Sequence, residues 1–175
     1  MKKITILIFS LILVICTVTC CIASETEKRE NRIAKIYKEI PMNSTHIMYV
    51  IDLAYEYDID PDLMFAIIWT ESNFNPNAKN KSSSASGYSQ MIKSTALSCV
   101  KNIDSIKEYD HKKHAMDPYI NLQLMAYYIN RCLSGSGGNI DKALISYRGC
   151  NSLNYNRLVK SRISIIKSNK VKEVG

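Results

Sequence analysis

Apolar residues recur at helical spacing along most of the chain after residue 45. In the first such stretch, residues 46–57, they stand at Ile47, Val50, Ile51 and Ala54. An apolar residue every three to four positions is typical of a helix with one face in a core. The same spacing predicts helices at residues 61–73, 89–100, 117–129, 140–147 and 153–166. No convincing stretch of four or more alternating residues predicts a strand, so the expected fold class is all-α.

Proline, glycine and short polar residues mark the breaks between these helices. Asp60 precedes Pro61, and this pair is typical of an N-cap followed by the first helical residue. Residues 74–87 carry Asn, Ser, Lys, Pro and Gly without periodicity, which predicts a long polar loop. Residues 134–138 predict a flexible break before the last two helices.

The first 23 residues differ in character from the rest. Lys2 and Lys3 precede an apolar run that begins at Ile4 and ends in small residues before Ser24, a pattern typical of a secretory signal peptide. An uncleaved anchor and a lipid-modified Cys20 or Cys21 are the alternatives. We therefore expect an exported, periplasmic protein with a signal peptide (1–23), a polar segment (24–45), one helical domain (46–168) and a tail (169–175).

Charge and cysteine content narrow the functional classes. Loss of residues 1–23 would lower the formal net charge from +7 to +5, and no basic run interleaved with aromatics predicts nucleic-acid binding. Beyond residue 23, only Cys99, Cys132 and Cys150 remain, so at most one internal disulfide is expected. The three histidines lack companions at ligand spacing, so neither a metal site nor a cofactor is predicted.

Glu71 extends an apolar helical stripe. The residues three, four and seven positions before it are Ile68, Ile67 and Met64, and on a helix they share its face. Burial and the nearby helix C-terminus both favour the neutral acid, so both are expected to raise its pKa. A carboxyl group protonated near neutral pH is what general-acid cleavage of a glycosidic bond requires. Taken alone, however, the pattern favours a surface glutamate at a fraying helix end.

No second carboxylate accompanies Glu71 in the nearby sequence. At about 1.5 Å of rise per residue, Asp62 lies roughly 13 Å away along the same predicted helix. After Glu71 the next acid is Asp104. Ordinary glycosidases use two carboxyl groups about 5 to 9.5 Å apart. A single acid suits chemistry in which the substrate itself supplies the nucleophile.

Four sequence blocks, in order, resemble the transglycosylase domain of soluble lytic transglycosylases. Residues 71–78 are similar to its E-S-x-F-x-P-x-A motif, and residues 87–96 to G-L-M-Q-I-x-P-x-T-A. Residues 117–121 with 128–129 resemble D-P-x-x-N…Y-L, and residues 143–149 resemble A-x-x-A-Y-N-x-G. The resemblance implies a lysozyme-like α-helical domain with a glycan cleft and cleavage of peptidoglycan strands, with Glu71 as the catalytic acid and base.

The matching positions also imply substrate contacts. Gln90 would bind the sugar or its acetamido group, and Tyr147 would orient Glu71 or contact the muramyl ring. Weaker candidates are Tyr128 (for which core packing is the equal alternative), Asn121, and Ser83 or Ser84. Three departures alter the cleft: Tyr88-Ser89 replaces Leu-Met, Lys93 replaces Pro, and Arg148 replaces the Asn that usually follows the tyrosine.

Three functions stay open from the sequence. The first is a lytic transglycosylase, which leaves a 1,6-anhydromuramyl end, and the second is a hydrolytic muramidase on the same fold. The third is a non-catalytic glycan-binding or scaffolding module of an envelope assembly. Small single-domain relatives often open the wall for secretion, conjugation or pilus machines, so the resemblance also implies such a partner apparatus.

Overall fold

The computed structural model describes residues 37–171, together with Thr17 and Thr19. The chain divides into two compact units, Met1–Lys38 and Glu39–Gly175. Most of the predicted signal peptide (1–23) and much of the polar segment (24–45) lie outside the described residues, as does the end of the tail. Within the described part, no helix is long and apolar enough to cross a membrane.

Seven helices have both ends within residues 37–171. They are α1 (Ser44–Glu56), α2 (Pro61–Ser72), α3 (Lys93–Val100), α4 (His111–His114), α5 (Pro118–Gly135), α6 (Ile140–Arg148) and α7 (Leu153–Lys167). Between these helices the only extended pairing in that range is a pair of isolated antiparallel bridges, Lys79 with Ser86 and Ser86 with Met91. The predicted all-α class is confirmed.

Side-chain caps start α2 and α5 where the sequence predicts. The carboxylate of Asp60 accepts from the Asp62 backbone N–H at 2.9 Å, with Pro61 at the first helical position of α2. Asp117 caps α5 in the same way, and Pro118 follows it. These caps satisfy N–H groups that have no partner inside the helix. The boundary at residues 60–61 is therefore confirmed.

Helix α2 is the central helix of the domain. Its residues from Asp62 to Trp69 are all buried, so it is enclosed on every side rather than amphipathic. It packs against α1 and, most extensively, against α7, while α5 packs against α1, α3 and α6. A helix enclosed in this way holds whatever stands at its end in a fixed position.

The loop at residues 74–92 is ordered by hydrogen bonds from outside itself. The buried Asn121 side chain accepts from the Ser89 N–H at 2.9 Å and donates to the Ser86 and Ala115 carbonyls at 3.0 and 2.8 Å. Within the loop, the Gly87 N–H donates to the Ala78 carbonyl at 2.8 Å. The loop predicted from composition is thus confirmed, and hydrogen bonds to its backbone hold it in one conformation.

Three local features differ from the sequence expectations or add to them. The helix predicted to begin at Ser89 begins at Lys93, because Gln90 has a positive φ of 47° and Met91 forms a bridge. The single turn of α4 was not predicted. Cys99, Cys132 and Cys150 are all free thiols, the first two buried and the third exposed, so the single disulfide that the sequence permits is not formed.

Gly87 is expected to tolerate no side chain. Its φ is +74°, and an added Cβ would lie 2.5 Å from Asn121 Nδ2 and 2.9 Å from the Ala115 carbonyl oxygen. We expect Gly87→Ala to lower the free energy of unfolding, measured in urea, by more than about 2 kcal/mol, because strain and collision add together.

Gly138→Ala is the matched control. Gly138 has a φ of +76°, but an added Cβ would meet nothing within 4 Å, so only the backbone strain of about 1 kcal/mol applies. Equal losses in the two variants would contradict the role given to the contact with Asn121.

Candidate active site

Glu71 stands in the last turn of α2, facing an open cleft. Met64, Ile67 and Ile68, which precede it on the same helix face, are almost completely buried, as the sequence pattern predicts. Asn73 then takes a left-handed conformation with φ of 50° and ends the helix. The carboxyl group is thus carried by a rigid, buried element while its own side chain stays partly exposed.

A tyrosine 84 residues further along the chain holds this carboxyl group in place. The Tyr155 hydroxyl donates to Glu71 Oε1 at 2.6 Å. Tyr155 is buried in the first turn of α7, where the Ser152 side chain caps its backbone N–H at 3.3 Å. The short distance is typical of a hydroxyl that donates to a carboxylate.

The surroundings of Glu71 act on its pKa in opposite directions. Burial raises the pKa of Glu71, while the Tyr155 hydrogen bond and the positive charge of Arg148 lower it, and the net pKa is raised. The pKa of Tyr155 is also raised, first by burial and then by the nearby charge of Glu71. The predicted effect of burial is confirmed, and the contribution of the helix dipole stays a prediction.

The cleft beside Glu71 has a volume of about 390 Å³. Its lining combines polar, aromatic and small residues: Glu71, Asn80, Ser89, Gln90, Met91, Ile92, Thr95, Tyr128, Tyr147, Arg148, Gly149 and Cys150. Within the described part of the chain, this lining contains one carboxyl group, that of Glu71, and one positively charged side chain, that of Arg148. A second carboxyl group of the kind used by two-acid glycosidases is therefore absent from the described lining.

Gln90 lies on the wall formed by the 74–92 loop. Its amide nitrogen donates to the carbonyls of Ala78 and Gly87, both at 3.0 Å, and these two contacts fix which way the amide points. Its positive φ of 47° is unusual for a residue other than glycine or asparagine. The loop thus holds Gln90 in one orientation at the cleft.

Two tyrosines predicted from the sequence lie on the other wall. The Tyr147 hydroxyl donates to the Ser89 carbonyl at 3.2 Å, and that of Tyr128 donates to the Ser146 carbonyl at 3.2 Å. Their rings are 5.4 Å apart. Burial, followed by the charge of Glu71, raises the pKa of Tyr147. Tyr155, rather than Tyr147, makes the hydrogen bond that orients Glu71.

The other three predicted residues do not line this cavity. Ser83 and Ser84 are exposed in the loop, where their hydroxyls accept from the N–H groups of Ala85 and Lys93 at 3.2 and 2.9 Å. Asn121 is buried and holds the loop backbone. Their side chains organise the loop beneath and beside the cleft.

Two residues that act on the pKa of Glu71 were not assigned a role from the sequence. Tyr155 lies on the apolar face of α7 together with Val159 and Ile166. This spacing predicts that Tyr155 is buried, but it does not indicate which side chain it contacts. Arg148 was noted only as a departure from the family motif. Its guanidinium lies over the Tyr155 ring, 4.8 Å from the ring centroid.

No group of three or more His, Cys, Asp or Glu residues in the described part of the chain could hold a metal ion. The ionisable groups in the described cleft lining are the carboxyl group of Glu71, the guanidinium of Arg148, the phenols of Tyr128 and Tyr147, and the thiol of Cys150. A buried carboxyl group with a raised pKa, open to a cavity on one side, can donate a proton to a bound ligand.

The family model described as the transglycosylase SLT domain matches residues 48–163. The chain belongs to the transglycosylase SLT domain family. The matched range runs from α1 to α7 and includes every residue of the cleft lining.

A solved structure shares the SLT-domain fold of this chain. It is the X-ray structure of an inactive mutant of the lytic transglycosylase Slt from Pseudomonas aeruginosa, with a TM-score of 0.61 and 18% sequence identity. The match covers 76% of this chain and only 25% of that one, so this chain spans a small part of the length of Slt. The predicted lysozyme-like fold is confirmed.

Glu71→Gln is expected to stabilise this SLT domain in a pH-dependent way. Because folding raises the pKa of Glu71, its stabilising contribution is complete below the unfolded-state pKa and is lost as pH rises through the folded-state pKa. Each pKa unit corresponds to about 1.4 kcal/mol. Glutamine does not titrate, so the Tm of the variant relative to wild type should rise between pH 4 and pH 8, measured by calorimetry. A constant difference would contradict this.

Tyr155→Phe is expected to raise the pKa of Glu71 further, because the variant lacks the hydrogen bond that stabilises the carboxylate. NMR titration of the Glu71 side-chain carboxyl carbon would measure the change. Tyr147→Phe is the matched control, since the Tyr147 hydroxyl bonds to the Ser89 carbonyl instead. A similar shift in both variants would mean that the Tyr155 hydroxyl has no particular role.

Proposed function

We propose that the chain is a peptidoglycan lytic transglycosylase. It cleaves the β-1,4 bond between N-acetylmuramic acid and N-acetylglucosamine and leaves a 1,6-anhydromuramyl end. The observation that carries the proposal is one carboxyl group, Glu71, whose pKa is raised by burial and which is the sole acid in the described cleft lining. A site with a single acid suits a reaction in which the sugar supplies its own nucleophile.

Glu71 acts twice in the proposed reaction. The protonated carboxyl group first gives its proton to the glycosidic oxygen, and the bond to the leaving sugar breaks. The resulting carboxylate then takes the proton of the muramyl 6-hydroxyl, whose oxygen bonds to C1 and closes the anhydro ring. The proton lost in the first step is regained in the second, and no water is consumed. The attacking hydroxyl is already held near C1, so its capture costs little entropy.

Tyr155 and Arg148 support the intermediate stage of this cycle. Between the two steps Glu71 is an anion in a partly buried site, and an anion there is unfavourable without partners. The Tyr155 hydroxyl donates to it at 2.6 Å, and the charge of Arg148 favours it as well. Burial therefore favours the acid form that begins the reaction, and these two residues limit the cost of the base form.

The cleft walls supply the proposed glycan contacts. Gln90, Tyr147 and Tyr128 line the same cavity as Glu71, which supports their assignment to substrate binding. Ser83, Ser84 and Asn121 are assigned more weakly, because they lie outside that lining. Their support comes from the sequence motifs alone.

Location and partners complete the proposal. Residues 1–23 would export the chain to the periplasm, where peptidoglycan lies; the support is the charged start, the apolar run and the small residues before Ser24. Local opening of the wall for a secretion, conjugation or pilus apparatus is proposed from the resemblance to small single-domain relatives.

Mass spectrometry of muropeptides released from purified sacculi tests the reaction. We expect anhydromuropeptides from the wild type and a loss of about 10²- to 10⁴-fold in Glu71→Gln, the range that a general acid–base group contributes. Glu108→Gln makes the same chemical change at an exposed residue outside the cleft lining and should release products at the wild-type rate.

The products and rates also decide between the alternatives. Products with a reducing muramyl end would identify a hydrolytic muramidase, in which water replaces the 6-hydroxyl. A wild-type protein that binds sacculi but releases nothing would identify a glycan-binding module. Equal release by wild type and Glu71→Gln would overturn the assignment of Glu71.

A further inference from the structure

Arg148 is a cation that lines the cleft and forms no salt bridge in the part of the chain that the structure describes. It is the last residue of α6, and it is exposed and lines the cavity with Glu71. In residues 37–171, the identified ion pairs join Lys160 to Asp141 and Lys167 to Asp60 and Asp62. None of these, and no hydrogen bond found in the same range, involves the Arg148 guanidinium. Its charge is therefore available to a ligand.

The ring of Tyr155 positions this cation. The guanidinium carbon lies 4.8 Å from the ring centroid, within the range of a cation–π contact. No hydrogen bond found in residues 37–171 uses the guanidinium N–H donors, so this contact with the ring leaves them for other partners. These donors form a rigid fork that matches the two oxygens of a carboxylate. Arg148 is thus held in place on one side and can bind an anion with its edge.

On the proposed function, the substrate carries such an anion close to the scissile bond. The muramyl sugar differs from N-acetylglucosamine by a lactyl group on O3. The carboxyl group of this arm is either free or extended by a stem peptide, which bears further carboxylates. A carboxylate on this arm is therefore the feature that separates the two sugars by charge.

We propose that Arg148 binds a carboxylate on the lactyl arm of the muramyl residue and so favours strands that carry one. The inference rests on the proposed function and adds a substrate preference to it. The resembling motif usually has a neutral Asn at this position, which offers a carboxylate no charge. Arg148 is therefore assigned as a specificity-determining residue of this chain.

The charge of the loop wall agrees with an anionic strand. Residues 72–103 contain Lys79, Lys81, Lys93 and Lys101 and no Asp or Glu. Lys79 and Lys93 are exposed beside Asn80 and Ile92, which line the cavity. Such a field raises the local concentration of an anionic polymer. This diffuse charge does not determine which sugar of the strand lies beside Glu71. For that reason the proposal depends on the single arginine within the cleft.

A rival role for Arg148 is to act through Glu71 alone. Its charge lowers the pKa of Glu71 and its guanidinium packs on Tyr155, so substitution could reduce turnover on every substrate. That role predicts a fall in kcat that is independent of the charge on the strand. Recognition of a carboxylate instead predicts a rise in KM, and only where a carboxylate is present.

Three soluble strand preparations separate these roles. The first keeps its stem peptides, and the second is treated with an amidase that leaves the bare lactyl carboxylate. The third keeps its peptides, but its carboxylates are converted to methylamides. Release of anhydromuramyl ends gives kcat and KM for wild type, Arg148→Gln, Arg148→Lys and the control Arg157→Gln, whose arginine is exposed on α7 and outside the cleft lining.

We expect Arg148→Gln to raise KM about 10-fold on strands with carboxylates and less than about 2-fold on the methylamide strands, as for the loss of one charge-assisted hydrogen-bond pair. Arg148→Lys should recover part of this loss, and Arg157→Gln should match wild type. A loss on the first strands alone identifies the peptide carboxylates as the partner. A loss on the second strands alone identifies the bare lactyl carboxylate, and a loss on the first and second shows that Arg148 binds either carboxylate.

Equal KM values on charged and methylamide strands, or an unchanged KM with a uniform loss of kcat, would overturn the proposal. Failure of the proposed function has a different signature, because the wild type would then release no product from any of the three. In that event, dissociation constants of Glu71→Gln and of Glu71→Gln with Arg148→Gln for the same strands still measure carboxylate binding. Equal constants for the two variants on charged strands would overturn the proposal as well.

Discussion

The hydrogen bond from Tyr155 to Glu71 is the interaction on which the site depends. It joins the last turn of α2 to the first turn of α7, the two helices that pack together most extensively. A carboxyl group at the end of an enclosed helix is costly to ionise unless something donates to it. The tyrosine supplies that donor from within the core, so the acid can be buried enough to keep its proton and still release it.

The same tyrosine links the acid to the rest of the cleft. One end of Tyr155 contacts Glu71, and its ring supports the Arg148 guanidinium at the end of α6. The wall that carries Gln90 is fixed separately, because the Asn121 side chain holds the Ser86 and Ser89 backbone from α5. The cleft therefore lies between two walls that have different supports and are joined by the hydrogen bond from Tyr147 to the Ser89 carbonyl, with the acid at the end of the central helix.

Local patterns made part of this arrangement predictable. The apolar spacing before Glu71 lies within one helix, so the sequence offered partial burial and a raised pKa as one interpretation, although taken alone it favoured a surface glutamate at a fraying helix end. The Asp60–Pro61 boundary was also readable, because a cap acts on residues next to it. The hydrogen-bond partner of Glu71 could not be predicted, because Tyr155 is 84 residues away and the apolar spacing of α7 does not indicate which side chain Tyr155 contacts.

Other sites show where local patterns mislead. Residues 89–92 have the composition of a helix start, but the left-handed Gln90 and the bridge at Met91 delay α3 to Lys93. Asn121 matched a family motif and is a predicted glycan contact, but nothing in the sequence indicated that its amide also bonds the backbone of Ser86, Ser89 and Ala115. In both cases contacts between residues far apart in sequence determine the local structure, and the spacing of nearby residues does not indicate those contacts.

The fixed amide of Gln90 has a consequence for what this wall can recognise. Both hydrogens of its nitrogen are directed at the carbonyls of Ala78 and Gly87, so only the carbonyl oxygen is left to meet a ligand. That oxygen accepts and cannot donate. On the proposed function, this position would therefore accept from a sugar hydroxyl or an acetamido N–H and could not donate to an acetamido carbonyl, which would set the face that a bound sugar turns toward the loop.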